Sequence, residues 1–418
     1  MRVPAPLRHR PFRVLLAGRT INALGNAFAP IALAFAVLDI SGSATDLGFV
    51  VGARTVVNVA FLLFGGVLAD RLPKNLLMVG SSLAAAATQG VVAALVLTHS
   101  ATIPLLIGLA AINGMVGALA LPASASILPQ TVPEGIRQQA NALSRLFLNG
   151  AAIFGAPAAG IVVAAVGPGW GIAVDAVSFA ISAVCFAALG MPAPATGKAE
   201  NATRPHIFAD LRTGWSEFRS RTWLWVVVAG FGVFNMAWAG GLFVLGPVVA
   251  DDTFGRRAWG FVLAAQTAGM IIGGLVAMRL RLRRLLFFGV ACCLPLSLPV
   301  FLLGAYPQPW ALMIGAFLGG LTLEQFGVAW ETSMQEHVPS DKLARVYSYD
   351  MVGSFVAIPV GEMTVGPIAQ LAGREATLIG AGLLMVAAVV FMLSRRDVRT
   401  LAHKLPEPAA EPMKESIA

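Results

Sequence analysis

The chain alternates between long apolar runs and short polar breaks. Near-uniform hydrophobicity covers about 13–38, 47–69, 75–97, 102–121, 140–166, 170–190, 223–249, 258–279, 284–304, 309–330, 346–370 and 375–394. Each run is close to the ~20 residues with which an α-helix crosses the hydrocarbon of a bilayer. Backbone N–H and C=O groups find no partners in lipid, so a crossing segment is either a helix or a strand of a closed barrel. The runs lack the period-two alternation of barrel strands. The pattern therefore predicts an all-α membrane protein of twelve transmembrane helices. The tightest break is Gly65-Gly66-Val67-Leu68-Ala69-Asp70-Arg71-Leu72-Pro73-Lys74, which sets Asp, Arg and Lys in a turn between the second and third runs.

Composition agrees. Of 418 residues, 57% are hydrophobic and 12% charged, against roughly 25% charged in soluble chains. Basic residues are unevenly placed: with the N-terminus inside, 23 of the 29 Lys and Arg fall in inside segments, against Arg256, Arg257 and Arg374 outside and Arg19, Arg54 and Arg145 within runs. By the positive-inside rule both termini of this multi-pass protein are cytosolic. The net charge of +8 is then topological and implies no nucleic acid. Arg2, Arg8, Arg10 and Arg13 precede a run too long for a signal peptide, which reads as an uncleaved first span. The five histidines (His9, His99, His206, His337, His403) and three cysteines (Cys185, Cys292, Cys293) show no ligand spacing, so no metal or other cofactor is expected. No nucleotide-binding loop is present, which argues against ATP-driven transport.

The longest break lies at mid-chain and divides the chain into an N-terminal six-helix bundle (1–190), a cytosolic linker (191–222), a C-terminal six-helix bundle (223–394) and a solvated tail (395–418). Within the linker, Phe208, Leu211, Trp215 and Phe218 recur at helical spacing beside Arg212, Arg219 and Arg221. That predicts an amphipathic helix lying either on the inner membrane face or on the loops of the bundle. The halves echo each other. Val132-Pro133, Asn141 and Gly155 recur 206 residues later as Val338-Pro339, Tyr347 and Gly361, and Gly65–Arg71 has a degenerate echo in Gly273–Arg279. Two pseudo-symmetric six-helix bundles with a site between them are the pattern of a secondary transporter.

Charges within runs are the candidate chemistry: Arg19, Arg54, Asp175, Glu324 and Glu362. A charge at the bilayer centre costs about 3 kcal/mol or more on insertion scales, so each should face a cavity or a partner. Burial disfavours a charged carboxyl, making Glu324 and Glu362 candidate proton carriers. Arg54 or Arg19 are candidate structural partners for both acids, and Arg54 is also placed to snorkel. Asn26 and Asn58 add polar contacts, and Phe231, Phe234, Trp238, Phe243, Phe317, Phe326 and Trp330 suit a lipophilic ligand.

The chain resembles the major facilitator superfamily. Gly66-x-x-x-Asp70-Arg71-x-x-Lys74 matches that superfamily's loop motif, with Pro73 in place of its Gly and Asn75 in place of a second base. Leu121-Pro122-Ala123-Ser124 through Pro129, Val132-Pro133, Ala140–Leu143 and Asp175–Phe179 are similar to bacterial drug and siderophore exporters of the macrolide-efflux and enterobactin-exporter-like branch. Gly155-Ala156-Pro157-Ala158-Ala159-Gly160 resembles the antiporter motif of span 5. The resemblance implies alternating access, an inner (plasma) membrane location and efflux of a lipophilic small molecule coupled to proton entry; a monomer that is not an enzyme is expected. It further implies a cytosolic latch from Gly66, Asp70, Arg71 and Lys74, with Asp350 brought near Arg71 and Arg145 in the equivalent place of span 5. Gly155, Pro157 and Gly160 would let span 5 approach span 8, whose Gly269 and Gly273 offer a matching surface. Competing readings are the same fold moving another metabolite or a lysolipid, a non-transporting receptor or scaffold, and a membrane enzyme.

Overall fold

The computed structural model describes residues 5–71, 74–189, 215–277, 279–280 and 282–403; for 62–71, 74–75, 120–126, 129, 134, 138, 340, 341, 344, 345 and 348 it describes the backbone alone. The described residues form helices α1 (Arg10–Ser41), α2 (Ala44–Arg71), α3 (Lys74–Leu97), α4 (Ile103–Ile127), α5 (Arg137–Val166) and α6 (Pro168–Ala187). These are followed by α7 (Thr222–Asp252), α8 (Arg256–Ala277), α9 (Leu285–Ala305), α10 (Pro309–His337), α11 (Ser340–Phe355 and Ile358–Ala372), α12 (Arg374–Ser394) and the short α13 (Arg396–Thr400). Eleven of them are long and apolar enough to cross a membrane by that measure, and α4 is apolar over Ile103–Leu119.

The interruptions have local causes. A π segment, Gly240–Leu245, lies inside α7. Pro295 and Pro299 accompany a 3₁₀ turn, Leu294–Ser297, inside α9. Proline lacks the N–H that an α-helix interior needs. In α11 the break falls at Val356 and Ala357, just before Pro359. Gly167 and Gly373, 206 residues apart, both turn the chain at positive φ (93° and 87°), a conformation costly for any residue with a Cβ. The repeat read from sequence thus extends to backbone conformation.

Helices α1–α6 pack chiefly on one another, as do α7–α12; the two sets meet along α2 with α11 and α5 with α8. Glycines set these distances. A Cβ on Gly155 would stand 2.6 Å from the Ala27 Cβ of α1, and one on Gly361 would stand 1.9 Å from the Met236 carbonyl of α7. Related glycines therefore seat α5 and α11 on corresponding helices of their own bundles. A buried cluster including Phe12, Leu15, Met78, Ile127, Val132 and Phe186 packs the termini end of the first bundle. The outward faces carry exposed apolar residues such as Phe154, Leu146 and Val184, as a lipid-facing surface requires.

Phe208 and Leu211, like most of the linker, lie outside the described residues. Residues 215–220 are helical and pack on the bundle, where Trp215 and Phe218 meet the Tyr349 ring at 5.5 and 5.8 Å. Glu217 binds Lys342 Nζ at 2.9 Å and Arg221 Nη1 at 2.5 Å, and Arg221 Nε donates to the His337 carbonyl. Hydrogen bonds from Lys342 and then Arg221 hold the Glu217 carboxyl below its ordinary value. A depressed carboxylate contributes stability above its ordinary pKa and loses it as pH falls through the lowered value. Limited proteolysis of the linker should therefore accelerate in acid, modestly, since a surface pair is worth about 1 kcal/mol or less. Glu217→Gln should make cleavage fast at neutral pH and remove this acid dependence.

Candidate functional site between two bundles

The site is organised around Arg54. α2 carries Arg54 and Asn58 one turn apart, hence on one face. Close approach of α4 fixes that face: a Cβ on Gly114 would stand 2.2 Å from the Arg54 carbonyl oxygen, and Asn58 Nδ2 donates to the Gly114 carbonyl at 3.0 Å. The guanidinium interacts electrostatically with two carboxylates, Asp175 of α6 and Glu362 of α11. One belongs to each bundle.

Both acids are almost wholly withdrawn from solvent, at 0% and 3% exposure. Asp175 Oδ2 accepts from Gln89 Nε2 at 2.7 Å, while its Oδ1 has no donor. Gly25 leaves room for this acid, since a Cβ there would lie 1.8 Å from Ser178 Oγ and 2.8 Å from Asp175 Oδ1. Glu362 lies beside the Thr55 hydroxyl, and its Oε2 has no donor. A buried charge is costly unless paired and hydrogen-bonded. One arginine here serves two half-satisfied acids.

Two cavities meet at that arginine. The first, about 370 Å³, lies inside the first bundle and is lined by Arg19, Asn22, Asn26, Asn113 and the rings of Phe179 and Phe186. The second, about 310 Å³, lies between the bundles and is lined by Pro30, Phe243, Pro247, Trp259 and Glu362. Arg54 and Asn58 line both.

Other residues singled out from sequence are distributed as follows. Arg19 and Asn26 line the first cavity, and Asn26 Nδ2 donates to Asn22 Oδ1. Glu324 does not join Arg54 or Arg19; the cation acting on it is Arg145 of α5. Asp350 accepts from Trp330 Nε1 and Ser354 Oγ, both at 3.1 Å. The side chains of Gly66, Asp70, Arg71 and Lys74 lie outside the described residues, so the expected Asp350–Arg71 pair does too. In α5, a Cβ on Gly160 would stand 3.0 and 3.1 Å from the Arg256 and Arg257 carbonyl oxygens of α8, and Pro157 sits inside the helix, whereas Gly155 faces α1. Gly269 and Gly273 face the Phe317 and Leu321 carbonyls of α10, not α5; the α8 glycine against α5 is Gly260, on which a Cβ would stand 2.4 Å from the Ala156 carbonyl oxygen. Small residues mark close helix approach but do not name the partner helix. Most of the aromatic residues stack on one another: Phe231 on Phe234 and Phe326 (5.6 and 4.5 Å), and Phe326 on Trp330 (6.2 Å). Phe243 lines the inter-bundle cavity.

One contact was not anticipated. At the end of the bundles remote from the termini, Arg256 of α8 forms a two-pronged ion pair with Asp39 of α1 and binds Asp251 Oδ1 at 2.7 Å, with its guanidinium 4.8 Å above the Phe35 ring. Gln370 Nε2 adds a hydrogen bond to Thr45 Oγ1 at 3.0 Å. These contacts tie the bundles at that end. Asp39 and Arg256 are 217 residues apart and each reads as an ordinary helix-end charge, so nothing in the sequence joins them. Arg256→Gln should loosen this end by about 1 kcal/mol, the upper scale of a solvent-exposed ion pair. A cysteine placed at Phe243 should then react about fivefold faster with a thiol reagent.

Two helical bundles enclosing a charged, partly polar site inside lipid-facing walls have the architecture of a secondary membrane transporter. The chain belongs to the Major Facilitator Superfamily, whose family model matches residues 15–362. It is 26% identical over 410 residues to the multidrug efflux pump Tap of Mycolicibacterium fortuitum (94% of this chain, 97% of that protein). It is 24% identical over 403 residues to Tap of Mycobacterium tuberculosis (94% of each). Among solved structures it is similar to a bacterial homolog of the human lysosomal transporter Spinster in an inward-facing, unoccupied conformation (TM-score 0.70, 14% identity, 94% of this chain and 98% of that one). The nucleoside transporter NupG gives TM-score 0.70 at 12% identity, covering 91% and 98%. The family and these neighbours are transporters, not enzymes.

Proposed function

We propose that this transporter exports a lipophilic small molecule by alternating access in exchange for protons. The observation that carries this reading is Arg54 between Asp175 and Glu362, one acid from each bundle, where the two cavities meet. A proton taken up by Glu362 cancels its attraction to Arg54 and so weakens the tie between α2 and α11. Release of that proton restores the tie. Opening of the remote end is thereby linked to proton occupancy. The basic bias sets the termini in the cytosol, so the end held by Arg256 is extracytoplasmic and closed in the present conformation. Asp70, Arg71 and Lys74 serve as the cytosolic latch, and Glu324 with Arg145 forms a second charge contact within reach of the α5–α8 seam. Both halves lie in one chain, so a monomer suffices. The efflux activity named for the Tap relatives supports this direction.

The test is accumulation of a panel of fluorescent lipophilic dyes and a macrolide in efflux-deficient bacteria expressing the chain, with and without a protonophore. Lower accumulation that a protonophore and Glu362→Gln both abolish supports the reading. Export that survives both removes proton coupling, and no movement of any compound by well-expressed protein removes drug export.

A further inference from the structure

We infer that the cavity inside the first bundle binds the oxyanion group of an amphiphilic substrate, with Arg19 as the primary anion-binding residue. This rests on the transport reading above and names the chemistry of what is carried.

The two arginines of the cavity are not equivalent. Arg54 is balanced by Asp175 and Glu362. Arg19, nine residues into α1, is half-buried, and no carboxylate acts on it. Among the described residues it makes no ion pair or hydrogen bond, and among them no acidic side chain lines the cavity. A cation held inside a membrane protein ordinarily faces a partner or a functional cavity, and here only the cavity remains.

The surrounding groups sharpen the chemistry. Several cavity donors are already used: Asn58 Nδ2 on the Gly114 carbonyl, Asn26 Nδ2 on Asn22 Oδ1, and Asn113 Nδ2 on Thr88 Oγ1. The Arg19 guanidinium, the Asn22 amide nitrogen and the Ser82 hydroxyl are among the donors with no hydrogen bond to another described residue. A planar guanidinium matches carboxylate, sulfonate or phosphate oxygens two at a time. The rest of the wall is apolar, with Met78, Leu148, Phe179 and Phe186 placed to cover a hydrophobic body. A volume of about 370 Å³ is in the range that holds a drug-sized ligand. A lipophilic cation would meet two arginines and no acid there.

The test uses two dyes on one xanthene scaffold, fluorescein (anionic above neutrality) and rhodamine 123 (cationic). Binding to the purified full-length transporter in a neutral detergent is read by fluorescence polarisation. Fluorescein should bind at least about tenfold tighter than rhodamine 123, the lower bound for one charge-assisted contact. Arg19→Gln should weaken fluorescein binding at least about tenfold and remove that preference without weakening rhodamine 123 binding, and Arg19→Lys should keep part of it. Rhodamine 123 binding as tightly as fluorescein, or fluorescein binding that ignores Arg19→Gln, overturns the inference. Should Arg19→Gln fail to fold, the wild-type dye ratio and Arg19→Lys still decide it. Fluorescein held through Arg19 but not moved across proteoliposomes would overturn the transport reading and leave the anion site standing.

Discussion

Arg54→Gln is expected to abolish transport and to destabilise the folded protein by about 3–5 kcal/mol, the scale for removing one partner of a buried charge cluster. The reason is arithmetic of charge. Asp175 and Glu362 each have one oxygen with no donor, and the arginine is the cation acting on both. Without it, neither buried carboxylate has a cation acting on it. The double substitution Arg54→Gln with Glu362→Gln leaves only Asp175, which keeps the Gln89 hydrogen bond. It should recover much of the lost stability and none of the transport. Thermal unfolding in detergent reads the first quantity and proteoliposome uptake the second. A single variant as stable as wild type, or a double variant no better than the single, would falsify the central role given to Arg54.

The second large effect is conformational. In Gly48→Val the new Cβ would stand 2.2 Å from the Glu362 carbonyl oxygen. That oxygen is backbone and cannot swing aside, so α2 and α11 must separate. Overpacking of this kind costs about 1–3 kcal/mol. Here the cost falls only on the conformation in which these helices touch, so the transporter should be held with its remote end open. Transport should fall by more than about tenfold, the ratio that 1.4 kcal/mol represents, while the unfolding temperature changes little. The check is a disulfide between Thr45→Cys and Gln370→Cys, whose native side chains hydrogen-bond at 3.0 Å, in a background lacking Cys185, Cys292 and Cys293. It should form readily in the parent and poorly with Gly48→Val. Equal cross-linking in both would show that Gly48 does not control this closure.

How much of this was legible beforehand differs between fold and site. The apolar runs located the helices to within a few residues, as in α12, expected over 375–394 and found over Arg374–Ser394. They missed the π segment of α7 and the break of α9, which are local departures inside uniformly apolar sequence. Arg54, Asp175 and Glu362 were each identifiable as charges inside runs. Their association was not, and Glu324, read alongside Glu362, turned out to face Arg145 instead. Gly269 and Gly273 were recognisable as a packing surface but belong to the α8–α10 contact.

The physical reason is the solvent. Lipid forces every crossing segment to satisfy its own backbone, so run length by itself determined that this is a helical membrane protein, and the residues echoed 206 positions apart revealed its repeat. Because the runs are apolar on all sides, they carry almost no facing signal, unlike helices of soluble proteins with one wet side. Which side of α2 bears on α11, which glycine lets α4 reach the Arg54 backbone, and which arginine is left without an acid are matters of helix rotation and ångström-scale packing. Only the tertiary structure decided them, by bringing residues from distant helices to one point between the bundles.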